Sequence, residues 1–520
     1  MRAVKWGGRK STPTTTFSVT RPSLAPDDDA VEHDRSRRRV ALVTEGTYPG
    51  NGGGVSTWCD QMVNGLDDVD FQIVAITLTH REPQRWALPD NARLANLPIW
   101  DRALEDTEPD RAPIRLGAVW DLAEVLTSGA SPGPDVEARF ARAIDGLIAA
   151  AGTGDLAASI RHPILCAAFR DALTADPWLK DTYQASLRDV SLLAESFSHV
   201  LRPLIFDVGP VDVVHTSAGG LPILVALAMH ARRGIPFILT EHGLFLRERY
   251  LAIEREVDGP VLKEVMLRFY QLLTRLGYQR AAVIAPVSDF NRRWQLRMKA
   301  PRERVELIHS AVEPADFPVR LSEPTEPSIS WLGRIDPIKD LHTLIRSAGV
   351  VRDRLPEVKV RIFGSATAAE ELYLASCHQL VAELGLTDVV TFEGRVGHPM
   401  EAFHAGQISA LSSISEGFPY SVLESMACGV PVVGTDVGGV MEAIGNAGRC
   451  VPARDHEAMG AACLELLGSA SLRRSMGLEG RMRVERQFGL DQMIATHRDL
   501  YERLATSGRS WADEQTAVLS

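Results

Sequence analysis

From Arg38 onward, short runs of β-branched and aliphatic residues alternate with longer stretches in which apolar side chains recur every three or four positions. The short runs predict buried parallel strands, the longer stretches predict covering helices, and the alternation predicts a doubly wound α/β architecture. In the first half, strands are expected at Val40–Thr44, Gln72–Ile76, Val211–His215, Phe237–Thr240 and Val283–Pro286, with a helix over Val55–Gly65 after the first. A second alternation supplies strands at Ile329–Leu332, Val358–Phe363, Val389–Phe392, Ile408–Ser412 and Pro431–Val433.

The stretch from about 100 to 205 carries few strand signals and reads as a helical insertion lying over the first sheet. Residues 314–328 hold four prolines among polar residues, a linker composition. The domain plan is therefore a tail over 1–37, a first Rossmann-like domain over 38–316, and a second over 317–488. A helix over 489–508 (its apolar part Leu490–Leu504) crosses back to the first domain, and 509–520 form a flexible tail. Two such domains would face one another across a cleft, where parallel sheets bind ligands.

Bulk numbers narrow the classes. At 520 residues one core is not enough. A net charge of −11 argues against a nucleic-acid binder. Six cysteines at 59, 166, 377, 428, 450 and 463 show neither C-x-x-C nor zinc spacing, and are expected as small buried hydrophobes in a reducing compartment. No uninterrupted apolar run approaches the ~18 residues of a membrane span, and the first residues lack a signal peptide's apolar core. Residues 1–37, rich in Ser, Thr, Pro and Arg, are expected to be disordered.

The most informative run is Ser415-Glu416-Gly417-Phe418-Pro419-Tyr420-Ser421-Val422-Leu423-Glu424, with seven residues between the two glutamates. A turn at Gly417–Pro419 precedes a helix predicted to start near Ser421 as its cap, which would place Glu424 in the first turn. There the backbone N–H groups and the helix dipole favour anionic ligands, and a carboxylate can accept hydrogen bonds from sugar or ribose hydroxyls. The competing reading is a carboxylate that merely complements the helix dipole. A second run, Trp331-Leu332-Gly333-Arg334-Ile335-Asp336-Pro337-Ile338-Lys339, ends a strand and presents two cations five residues apart. One planar fork and one point charge suit a diphosphate; the competing reading is a solvated loop.

The third run, Thr44-Glu45-Gly46-Thr47-Tyr48-Pro49-Gly50-Asn51-Gly52-Gly53-Gly54-Val55, lets backbone amides approach a ligand. With Asp70 it also makes an incomplete dinucleotide fingerprint that lacks its third glycine. Fourth is Thr240-Glu241-His242-Gly243-Leu244-Phe245-Leu246-Arg247-Glu248-Arg249, where His242 is either a core histidine or a cleft residue at a strand end. The triplet Asp68-Val69-Asp70 resembles a metal-binding D-x-D but precedes a strand and is expected to be solvated.

Glu416 and Glu424, with Leu423-Glu424-Ser425-Met426-Ala427-Cys428-Gly429-Val430-Pro431 and Thr435-Asp436-Val437-Gly438-Gly439-Val440-Met441-Glu442, resemble the E-x(7)-E region of family 4 retaining glycosyltransferases. These have the two-Rossmann-domain GT-B fold. The runs T-E-G-T-Y-P, G-G-V-S-x-W and T-E-H-G-x-x-x-R-E-R resemble the PelF branch, the likeness covering about residues 39–505. The resemblance implies Glu416 beside the donor sugar, Glu424 on the ribose, and Gly417, Phe418 and Pro419 contributing main-chain contacts. It further implies Arg334 and Lys339 on the diphosphate, Gly53 and Gly54 at the β-phosphate, and His242 beside the sugar, its carbonyl facing the anomeric carbon. Arg395 joins the expected donor set, and Glu45, Tyr48, Arg247 and Arg249 are acceptor or phosphate candidates.

The implied activity is metal-independent, retaining transfer of a hexose from UDP-glucose to an acceptor hydroxyl in extracellular polysaccharide synthesis. The implied setting is the cytoplasm, with peripheral placement at the inner face of the membrane and export partners there. No metal or cofactor is expected, the nucleotide sugar being substrate. Two departures stand out. Ile308-His309-Ser310-Ala311-Val312 replaces the usual Asn-Gly turn, which puts the hinge geometry in question. Phe363-Gly364-Ser365-Ala366 alters the turn near the nucleobase. Two rivals remain: a non-catalytic partner that binds a sugar nucleotide, and an NAD-dependent oxidoreductase built on the glycine loop and Asp70.

Overall fold

The computed structural model describes residues 37–79, 84–100, 114–257 and 259–518. The expected tail over 1–37 lies almost wholly outside them. Among the described residues, twelve strands form two parallel sheets of six. The first sheet holds β1 (Arg38–Glu45), β2 (Val69–Thr77), β3 (Ala92–Pro98), β4 (Val213–Thr216), β5 (Phe237–Glu241) and β6 (Val283–Pro286). The second holds β7 (Ser328–Leu332), β8 (Lys359–Phe363), β9 (Val390–Gly394), β10 (Ile408–Leu411), β11 (Val432–Thr435) and β12 (Gly448–Val451). Spatial orders are β3-β2-β1-β4-β5-β6 and β12-β11-β10-β7-β8-β9. Each is the doubly wound Rossmann order, whose ligand crevice opens at the carboxyl ends of the strands where the winding reverses. Those reversals lie between β1 and β4 and between β7 and β10.

β3 and β12 are absent from the sequence-based expectation. Both are sheet edges: β3 mixes buried Ala92 and Leu97 with exposed Arg93 and Asn96, and β12 is the short run Gly-Arg-Cys-Val. Edge strands have one unpaired side and need no continuous apolar run.

The helical insertion supplies helices over Gly117–Thr127, Pro134–Gly152, His162–Ala175 and Leu187–Val200. Their buried Leu122, Phe140, Leu147, Phe169 and Phe197 share one core with Leu224, Phe269 and Leu273 of the helices Pro222–Arg233 and Pro260–Arg280. The insertion thickens the helical layer on one face of the first sheet. Arg275–Glu137 at 2.6 Å and Arg280–Asp145 at 2.5 Å tie its rim.

The opposite face is covered by the helices Gly54–Gly65 and Leu490–Val518, which bury Trp58, Met62, Met493, Ile494, Leu500 and Tyr501 against Leu42 and Ile73. The last helix runs to Val518, past Leu504 and through the stretch expected as a flexible tail. Residues 505–518 hold no proline and one glycine, so nothing in the chain stops the helix. The two passages between domains pair with each other: Val312 N–H donates to the Phe488 carbonyl and Leu490 N–H to the Val312 carbonyl, both at 3.0 Å. All six cysteines are free, and Cys59, Cys377, Cys428 and Cys463 are buried. Among the described residues no helix is long and apolar enough to cross a membrane.

Candidate active site

On the second sheet, β7 ends at Leu332 and the chain turns through Gly333. Gly364, at φ +138°, lies against the Gly333 carbonyl, so no side chain fits between the two loops. The Arg334 guanidinium is 57% exposed and reaches Asp336 Oδ2 at 3.1 Å. The other oxygen of Asp336 accepts the Ile338 N–H at 2.9 Å, which caps the short turn Pro337–Lys339 and aims Lys339. Lys339 Nζ meets Glu416 Oε1 at 2.6 Å, with the side chains only 21% and 10% exposed. Ser413 Oγ donates to the same oxygen at 2.5 Å. Arg395, after β9, donates to Ser365 Oγ at 2.9 Å and stands at the far end of this row.

Glu424 sits two residues further along its helix than expected. Its helix spans Tyr420–Ala427 with Pro419 at the N-cap, so Ser421 is inside the helix and is not its cap. Glu424 is the fifth helical residue, beyond the first-turn amides. Pro419 sets the difference, since its ring has the backbone angle of a helix start but no N–H to offer. Burial alone pushes the Glu424 carboxyl up to about 7.

On the first sheet, β1 delivers the glycine loop. Gly53 caps the Gly54–Gly65 helix at φ +135°, and a Cβ on Gly54 would stand 3.1 Å from the Tyr420 ring. Glu45 accepts the Leu221 N–H at 3.2 Å, and burial raises its carboxyl to about 7 against the attraction of Arg249. Tyr48 does not reach the cleft. It is 1% exposed, packs with Trp86, and its hydroxyl lies 3.5 Å from Asp60, while Thr44 Oγ1 donates to its carbonyl at 2.7 Å. The apolar ring is drawn into the core beneath the loop, so Tyr48 supports the loop from below.

β5 delivers His242. Its ring meets Trp58 edge-on at 4.8 Å between centroids, and its Nε2 is buried without a partner among the described residues. Burial lowers its pKa to about 3, so the ring is neutral. Its carbonyl lies directly against Gly417 of the second domain, where a Cβ would overlap the oxygen. Arg247 Nη1 donates to Ser415 Oγ across the same gap at 2.5 Å. Phe418 is 5% exposed and packs on His309 and Phe488, leaving its main chain as the part that can meet a ligand.

Contacts that the sequence reading missed close the rest of the gap. Tyr420 Oη meets Gln61 Oε1 at 2.9 Å, and Gln61 Nε2 donates to the Ala311 carbonyl at 3.0 Å. Glu442 accepts the Asp289 N–H and bonds His309 Nε2, each at 2.7 Å. Tyr420 and Glu442 lie inside the quoted runs, and His309 is the departure noted there. The missing information was which residue faces which domain.

Asp70 is misplaced for a dinucleotide. The register pairs it with Arg39, at the start of β1, while the glycine loop follows Glu45 at the other end. Six strand steps separate them, about 20 Å. Asp70 is salt-bridged to Arg37 at 2.9 Å and Asp68 to Arg498 at 3.1 Å. The D-x-D triplet therefore lies away from the carboxyl ends of the strands.

Residues 326–469 match the family described as "Glycosyl transferases group 1". The chain is 32% identical over 191 residues to the D-inositol 3-phosphate glycosyltransferase of Streptomyces coelicolor, covering 34% of this chain and 41% of that one. It is 26% identical over 336 residues to the protein of the same description from Thermobispora bispora, covering 59% and 74%. The chain spans less than two thirds of the length of several such relatives. Among solved structures, sucrose-phosphate synthase from Thermosynechococcus elongatus superposes with a TM-score of 0.61 at 17% identity, over 91% of this chain and 100% of that one. Anabaena HepE in complex with UDP-glucose gives 0.55 at 12%, over 89% and 99%. The fold is that of GT-B glycosyltransferases. Residues 38–303, just over half of the chain, match "Domain of unknown function (DUF3492)", so the chain belongs to that family, here joined to a group 1 glycosyl transferase domain.

Proposed function

We propose that the chain is a retaining glycosyltransferase that moves a hexose, glucose from UDP-glucose, to an acceptor hydroxyl. The observation that carries this reading is the Lys339–Glu416 pair, which follows the switch-point strands β7 and β10, next to Gly417 where it meets the His242 carbonyl. Arg334, five residues before Lys339, is exposed, and the Gly53–Gly54 helix start lies under Tyr420. Arg334, Lys339 and the Gly53–Gly54 amides would take the negative charge that builds on the departing diphosphate; fixed charges of this kind supply most of the catalysis in such reactions. With two cations on the diphosphate, no metal is required. Glu416 would hold sugar hydroxyls, Glu424 the ribose, and Arg395 with Ser365 the base end. Neutral His242 would contribute its carbonyl and ring at the sugar, with Arg247, Arg249 and Glu45 on the acceptor side.

The mechanism proposed is front-side displacement, with the leaving phosphate taking the acceptor's proton and the anomeric configuration kept. The resemblance to the PelF branch supports extracellular polysaccharide synthesis at the inner face of a membrane, with export partners there. Bound ligands of structural neighbours, UDP and UDP-glucose in Anabaena HepE, support the choice of nucleotide. A thermal-shift panel of UDP, ADP and GDP sugars with NAD tests the reading. UDP and UDP-glucose should raise Tm and NAD should not; protection by NAD alone would refute it.

A further inference from the structure

Glu241 is a carboxylate buried at 1% exposure that the proposed chemistry does not use. Burying a carboxylate is costly unless donors converge on it, so its surroundings should explain its presence. Tyr278 Oη donates to Oε2 at 2.5 Å and Gln295 Nε2 to the same oxygen at 2.9 Å. The Phe245 N–H, which opens the helix Phe245–Glu256, also donates to the carboxylate. The main chain is fixed as well: Asn291 Nδ2 donates to the Glu241 carbonyl at 3.1 Å.

The pocket is shaped for this arrangement. A Cβ on Gly219 would stand 2.8 Å from Phe245 Cβ and 3.1 Å from Glu241 Oε1, and one on Gly220 would run into the Phe245 ring. Three helices, beginning at Phe245, Pro260 and Asp289, are thus fastened to the last residue of β5. The next residue is His242, whose carbonyl meets Gly417, and five further on is Arg247, which bonds Ser415.

We propose that Glu241 is a positioning residue for glycosyl transfer: by gathering Tyr278, Gln295 and the Phe245 amide, it fixes the His242 carbonyl and Arg247 against the second domain. The proposal rests on the transfer reading above. Glu241 acts through its neighbours and touches no substrate; of the groups assigned to the donor nucleotide, Arg334, Lys339, Glu424 and Arg395 lie on the other domain, and Gly53 and Gly54 follow a different strand, β1. Loosening it therefore affects turnover and leaves nucleotide binding intact.

The test uses the full chain and three variants. Glu241→Gln keeps the shape but turns an amide N–H₂ toward existing donors. Because a displacement of about 1 Å at a reacting centre costs ~10²-fold, kcat should fall by roughly 10–100-fold. Donor KM and UDP affinity by calorimetry should stay within about twofold, since the nucleotide groups do not move. Glu241→Gln with Gln295→Glu exchanges acid and amide, restores a donor–acceptor pair, and should recover most of kcat. Tyr278→Phe removes one donor, leaves the charge in place, and should lower kcat by a few-fold with UDP affinity unchanged; it also serves if Glu241→Gln does not fold. Unchanged kcat in Glu241→Gln and Tyr278→Phe would overturn the proposal. Parallel loss of UDP affinity and kcat, or an exchanged pair no better than the single variant, would also overturn it and leave only a structural role. Failure of the wild-type chain to transfer sugar would instead reject the transfer reading itself.

Discussion

Lys339→Ala separates the structural contribution of the Lys339–Glu416 pair from the role proposed for Lys339 on the diphosphate. In the free protein, removing the ammonium leaves a carboxylate that is 10% exposed with Ser413 as a neutral donor. An abandoned buried acceptor costs about 1–3 kcal/mol; the larger penalty for fully buried pairs does not apply, because Lys339 remains a fifth exposed. At ~2–4 °C per kcal/mol for a domain of this size, Tm should drop by roughly 2–12 °C with the fold retained. In the reacting complex the loss is larger. A neutral donor on a developing oxyanion is worth ~10²–10³ in kcat, and a cation on a transferring diphosphate can reach ~10³–10⁵. Turnover should therefore fall by ~10³ or more, equivalent to about 4 kcal/mol. Transfer from UDP-glucose, followed by released UDP, measures the second effect, and a melting curve on the same sample measures the first. Turnover within tenfold of wild type, with Tm lowered as expected, would refute the assignment of Lys339 to the diphosphate.

Gly417→Ala places a methyl group where the His242 carbonyl sits, and both neighbours are backbone, so the domains must part. Activity should fall ~10²-fold or more while UDP still binds within a few-fold, as calorimetry and initial rates would show; an unaffected rate would mean that this closed contact is not on the reaction path. Glu424 gives a pH signature. Its carboxyl is raised from 4.5 to about 7 by burial, so the stability it contributes is complete below about pH 4.5 and is lost as pH rises through about 7. If the ionised form receives the ribose hydroxyls, UDP affinity should climb by up to about tenfold between pH 6 and 8. Glu424→Gln should abolish that slope while the nucleotide's own titration remains; equal slopes in both proteins would reject the role.

Most of the fold was legible because parallel strands buried on both faces, such as Val40–Val43 and Phe237–Leu239, are continuous apolar runs that few other structures produce. The edge strands β3 and β12 were not, since an edge needs neither continuity nor full burial. The last helix extends to Val518, past the expected limit at 508, because the apolar pattern fades after Leu504 while no proline follows to stop the helix. At the site, spacing located Lys339 and Glu416 but could not join them, since that pair is 77 residues apart and depends on β7 lying beside β10. Tyr48 was misread because a tyrosine in a glycine loop offers both a hydroxyl and a ring, and the core beneath captured the ring. Asp70 fitted a fingerprint by count alone; register put it at the wrong end of its strand.

The central claim is metal-free transfer with retention, and one product settles it most directly. EDTA-treated protein incubated with UDP-glucose and a panel of sugar acceptors should release UDP and yield a new glycoside whose anomeric proton shows the small coupling of an α linkage. A β linkage in that spectrum, or transfer that starts only when Mg²⁺ is restored, would contradict the account.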